Sequence, residues 1–96
     1  MSTTRDAYLQ KLKAKMDQWN AEIDKLEARA RGVDAEARLQ YQQRLQDLRA
    51  KQADLRDKVS QVQEAGEGAW DDLRAGLEHS QQALSGAIEA AISRFK

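Results

Sequence analysis

Cysteine and proline are both missing from this chain, and phenylalanine occurs once. Without cysteine there can be no disulfide framework and no thiolate metal site, which fits a reducing compartment and makes the cytoplasm the expected location. A third of the residues are charged and the mean hydropathy is −0.85, so with few aromatics the chain is too polar for a compact mixed fold and suits long helices. Charge of one sign is lacking too. Sixteen Lys and Arg balance sixteen Asp and Glu, which removes the basic excess of a nucleic-acid binder and favours protein partners. No stretch approaches the roughly 20 apolar residues of a membrane span, and residues 1–6 run into an amphipathic pattern with no apolar leader segment.

What the sequence does have is helical periodicity. Leu9, Leu12, Met16, Trp19, Ile23, Leu26, Ala30, Val33 and Ala37 follow one another at alternating spacings of three and four, an unbroken heptad seam. Thr3 followed by Asp6 approximates a capping box and starts the helix near residue 3. Acid-first pairs four residues apart, Glu27 with Arg31, Asp34 with Arg38, Asp47 with Lys51 and Asp54 with Lys58, suit a solvated face. Two places can interrupt the pattern. Gly66 and Gly68 lie within three residues, add roughly 2 kcal/mol of helix penalty and can supply a left-handed terminus, so the main turn is expected at 66–68. Gly32 followed by Asp34 also reads as a stop and a new cap. The heptad phase survives across Gly32, however, which favours one continuous helix over 3–65; a three-helix bundle turning at Gly32 is the alternative.

Beyond Val33 the spacing becomes four, four and four through Ala37, Tyr41 and Leu45, a stutter that relaxes the supercoil. The seam then resumes through Leu48, Leu55, Val59 and Val62, with Gln52 as a polar interruption. After the glycines, Trp70, Leu73, Leu77, Leu84, Ile88, Ile92 and Phe95 follow a 3.6-residue period, predicting a straight amphipathic helix over 69–95. Folded back at the glycines, this helix ends with Phe95 opposite about residue 39, where the stutter sits. The expected architecture is therefore all-α, a single domain in which a long heptad helix, a glycine turn and a shorter helix form a hairpin. Residues 40–95 supply the hairpin core. Leu9, Leu12, Met16, Trp19, Ile23, Leu26 and Val33 lie beyond it, and their seam calls for a second copy in a helical bundle or coiled-coil dimer or trimer.

The segments Tyr8 to Lys13, Trp19-Asn20-Ala21-Glu22-Ile23-Asp24-Lys25-Leu26-Glu27-Ala28, Glu64 to Glu78 and Ser93-Arg94-Phe95-Lys96 resemble a group of short bacterial coiled-coil proteins linked to stress responses. The likeness covers most of the chain and is most specific in Trp19 to Asp24 and in the glycine turn leading to Trp70. It implies a stress-associated helical protein with no catalytic residues and no cofactor.

Residue chemistry points the same way. His79 is the only histidine; Asp71, Asp72 and Glu78 near it do not reproduce the Glu-x-x-His pairs of a di-metal bundle or the ligands of a zinc site. Trp19 and Trp70 lie on apolar stripes, which makes them packing anchors. Lys11, Lys13 and Lys15 form a small basic cluster without an aromatic platform, an ordinary coiled-coil surface. No phosphate loop, catalytic triad or carboxylate cleft can be assembled. The expected function is a non-enzymatic, self-associating scaffold or protein-binding module. The rival reading is a peripheral membrane binder using the last helix, but residues 66–96 carry a net charge of minus two (three Arg and Lys against five Asp and Glu), opposite to what anionic lipid selects.

Overall fold

A computed structural model describes residues 3–95, apart from the side chains of Thr3 and Glu67; the side-chain cap expected from Thr3 and the residue Lys96 lie outside what is described. Three helices account for nearly all of it: α1 (Thr3–Arg31), α2 (Ala35–Glu64) and α3 (Trp70–Arg94), with a short 3₁₀ turn (Glu67–Ala69) leading into α3. They form a helical bundle about 52 Å long and 18 Å across.

The continuous helix expected over 3–65 is overturned. The chain leaves α1 at Arg31, turns through Gly32, Val33 and Asp34, and enters α2 at Ala35. Local chemistry holds this break. Gly32 N–H bonds back to Arg29 O at 3.0 Å, and the Asp34 carboxylate accepts the Ala37 N–H at 2.9 Å as an N-cap. Arg38 donates to Val33 O at 3.1 Å, satisfying one of the carbonyls exposed at the break. Asp34 and Arg38, expected as a surface pair, are thus used to close the turn. Phase continuity across Gly32 did not require helix continuity, because each helix presents its own seam to the shared interior.

The second turn falls where expected, with modest changes of boundary. Helix α2 ends at Glu64, Ala65 caps it in extended backbone, and Gly66 O accepts the Ala69 N–H at 3.0 Å. Neither Gly66 nor Gly68 is left-handed; among the described residues no glycine has a positive φ. The turn is made by extended backbone and a 3₁₀ step, so glycine serves here by weakening the helix rather than by reaching conformations closed to other residues.

Folding back at Gly32 changes the partner of the first seam. Leu9, Leu12, Ile23 and Leu26 are buried in the interior of their own chain, Met16 and Trp19 pack half-buried against the same core, and Val33 is half-buried in the connection. These residues, expected to await a second copy, are covered by α2 and α3. The expectation fails because α1 ends at Arg31 and folds back on α2 instead of extending beyond the hairpin. Of the expected hairpin core, Leu45, Leu48, Leu55, Val59, Val62, Trp70, Leu77, Leu84, Ile88 and Phe95 are buried, with Tyr41 and Leu73 half-buried. Phe95 stacks on Tyr41 with ring centroids 3.9 Å apart.

Ile92 is the exception at 37% exposure, and Ala91 takes the inward position at 2%. From Leu84, the inward row steps four to Ile88, three to Ala91 and four to Phe95. A second step of four to Ile92 would rotate about 40° off the interface. Ile88→Ala should therefore cost about 2–4 kcal/mol in chemical denaturation, and Ile92→Ala under about 1 kcal/mol. Equal losses would mean the inward row of α3 is misassigned.

Candidate functional site: the Arg49 cluster and its groove

Residue 49 sits on the α1-facing side of α2, one position past the buried Leu48, where a long cationic side chain can reach across to the neighbouring helix. Asn20, Asp24 and Glu27 lie four and three residues apart on α1, so they share a face beside the seam. Their side chains converge on the Arg49 guanidinium. Its Nε donates to Glu27 Oε1 at 2.9 Å, Nη2 lies 2.7 Å from both Asp24 Oδ1 and Glu27 Oε1, and Nη1 donates to Asn20 Oδ1 at 3.0 Å and Gln52 Oε1 at 2.9 Å. Gln52, only 6% exposed, closes the ring by donating to Asn20 Oδ1 at 2.9 Å.

The polar interruption of the seam at Gln52 is thus a satisfied buried amide. Burial by itself would lower the Arg49 pKa, but hydrogen bonds and attraction from Asp24 and Glu27 outweigh it and the net shift is upward. Arg49 therefore acts as a permanent cation, and with two carboxylates the cluster carries one net negative charge. It is a directional tie between α1 and α2 rather than a trap for anions.

Next to it lies an open groove of about 610 Å³, with Ala30 and Leu45 buried in its lining and Arg31, Arg38, Gln42 and Gln46 around them. Arg38 on this side is held by the interhelical turn, and Leu39, at 60% exposure, is a large apolar side chain left in solvent nearby in sequence.

A second cluster secures the other end. Tyr8 of α1 meets Trp70 of α3 edge to face at 5.2 Å, and the Arg74 guanidinium lies 5.8 Å and 5.9 Å from the two ring centroids. Gln81 donates to the Tyr8 hydroxyl, whose pKa is pushed up mainly by burial. Arg5 reaches from α1 to the Ala65 carbonyl at 3.0 Å, capping the end of α2. On the α2–α3 side, buried Ser80 donates to Asp54 Oδ2 at 2.8 Å while Lys58 holds the same carboxylate.

Of the residues weighed for chemistry, Trp70 is buried and Trp19 half-buried, both as packing anchors, while His79, Lys11, Lys13 and Lys15 are exposed. Among the described residues no group of three or more His, Asp or Glu side chains is arranged to hold a metal ion. The Arg49 cluster was not anticipated. Its signal was present as Asn20, Asp24 and Glu27 on one face and a polar residue at seam position 52, but only antiparallel packing of α1 on α2 brings them together. No family model, curated protein or solved structure matches this chain.

Two measurements probe these ties. Arg49→Ala should destabilise the bundle by about 1–2 kcal/mol, discounted because the cluster is partly solvated, whereas Lys51→Ala, which breaks only the exposed Asp47 pair, should change stability by less than about 0.5 kcal/mol. Asp54 offers a pH test: hydrogen bonds from Lys58 and then Ser80 hold its carboxyl below the ordinary value of 3.8. A depressed carboxyl stabilises the fold above the ordinary value and loses that contribution as pH falls through the lower folded value. Asp54→Asn should flatten the decline of thermal stability below about pH 4.

Proposed function

We propose that the chain is a non-enzymatic helical scaffold or protein-binding module that associates with copies of itself or with a protein client, in the stress-associated setting its sequence resemblance implies. The observation that carries this reading is the direction of the helix faces. The apolar stripes of all three helices converge on one interior, while Arg49 ties α1 to α2 and Lys58 and Arg74 pair with Asp54 and Glu78 at the surface. A rod of this kind offers rims and grooves of mixed charge, suited to meeting other proteins.

Membrane binding is the competing reading, and the packing of α3 weighs against it. Trp70, Leu77, Leu84, Ile88 and Ala91, the residues that would enter lipid, are buried, and exposing them forfeits about 25 cal/mol for each Å². No helix among the described residues is long and apolar enough to cross a membrane.

The test combines mass and lipid. Light scattering over a concentration series should show mass above that of one chain, and in a Trp19→Phe background vesicles of phosphatidylglycerol and phosphatidylcholine should leave Trp70 emission unchanged. A blue shift with salt-sensitive co-sedimentation would replace the proposal with the membrane reading.

A further inference from the structure

We propose that the chain forms a dimer by exchanging α1 between two copies, with the Gly32–Asp34 turn opening into helix. This rests on the self-association reading above and names its partner and mode. The first observation is phase. From Ala30 the apolar positions step by three to Val33, then by four to Ala37, Tyr41 and Leu45, then by three to Leu48. That path spans 18 residues, about five turns of a straight helix, so Ala30 and Leu48 fall on one line if the turn straightens. The register that serves the folded chain thus also permits a straight helix through the turn, with the α1 and α2 stripes on one continuous face.

The turn itself is easily converted. It is three residues long, Gly32 has a negative φ, and a Cβ built there would meet nothing closer than Arg29 O at 3.6 Å. Nothing in the glycine's own conformation resists becoming helical. What holds the turn closed is the Asp34 cap and the Arg38 bond to Val33 O. Short connections of this kind are those that exchange most readily.

The third observation lies at the turn end of the bundle. A cleft of about 520 Å³ there is bordered by Arg29, Gly32, Val33, Tyr41 and Phe95, with Val33 only half-buried. In the exchanged dimer the two straightened helices run antiparallel and cross at this point, so the Val33 and Ala37 positions of one copy meet those of the other across the two-fold axis. Each α1 then docks on α2 and α3 of the partner with the same side chains it uses in the closed chain. The Arg49 cluster reforms between copies, because Asn20, Asp24 and Glu27 travel with α1 while Arg49 and Gln52 stay on α2.

Three proteins test this: the unaltered chain, the double variant Gly32→Ala with Asp34→Ala, and a chain with Gly-Gly-Ser-Gly inserted between Val33 and Asp34. Removing the helix breaker and the cap from the Gly32–Asp34 turn of both copies should strengthen dimerisation by roughly a hundredfold or more in sedimentation, whereas the insertion, whose three glycines oppose a helix through the connection and lengthen the closed turn, should leave a folded monomer by circular dichroism. Spin labels on exposed positions 14 and 60 report the mode when labelled chains are diluted in unlabelled ones. An open helix separates them by 46 residues, about 69 Å, and the closed antiparallel form holds them much nearer. A dimer with the long distance supports exchange. A dimer with the short distance overturns exchange and leaves side-by-side self-association standing. Monomers in the unaltered chain and the double variant at every concentration overturn both.

Discussion

An amphipathic helix is stable only where something covers its apolar stripe, and the rest of this molecule follows from that constraint. The 29 residues of α1, with Leu9, Leu12, Ile23 and Leu26 on one side, gain little alone, since helix nucleation is unfavourable and propagation weak in water. Packing must supply the missing free energy. The chain meets the requirement by folding twice, so that each of its three stripes is covered by the other two and one interior serves all of them. Each turn falls at glycine, Gly32 in the first and Gly66 to Gly68 in the second, but α3 runs unbroken through Gly76 and Gly86, so each turn also needs specific groups to fix it. Asp34 and Arg38 secure the first, while Ala65, capped by Arg5, and the 3₁₀ step secure the second.

Apolar stripes alone leave helices free to slide by a turn, because one layer of leucine resembles the next. Polar ties remove that freedom. The Arg49 cluster pins α1 to α2 near the middle, Ser80 with Asp54 pins α3 to α2, and Tyr8 with Trp70, Gln81 and Arg74 pins α1 to α3. Each tie is directional and spans a different helix pair, so together they select one register. Such contacts add modest net stability and more selectivity, since a slipped register would leave Gln52 and Ser80 buried without their partners.

Under the proposed function, folding by this route ties that function to assembly. In the proposed exchange, the seam that stabilises a single chain is the surface on which a second copy docks, and the turn at Gly32 decides between them. Closed, the three helices are covered from within; opened at the turn, the chain would become a longer rod with the same interior. The difference is set by a cap, one arginine bond and three residues of backbone.

The sequence by itself determined the all-helical class, the presence of a turn at the paired glycines, and most of the interior, because these depend on local propensity and on a period visible along one strand of text. Its period puts Leu77, Leu84 and Phe95 on the face that the structure buries, and it set Phe95 opposite about residue 39, two positions from the Tyr41 ring on which it stacks. It did not determine whether Gly32 ends a helix. The phase that runs through Ala30, Val33 and Ala37 serves a straight helix and a folded one equally well, and the choice rests on the Asp34 cap, the Arg38 bond and the cover that α2 and α3 give to α1. Only the tertiary structure decided that. It likewise turned Ile92 outward in favour of Ala91, and it assembled Asn20, Asp24 and Glu27 around Arg49, since residues more than twenty positions apart meet only after the chain has chosen where to turn.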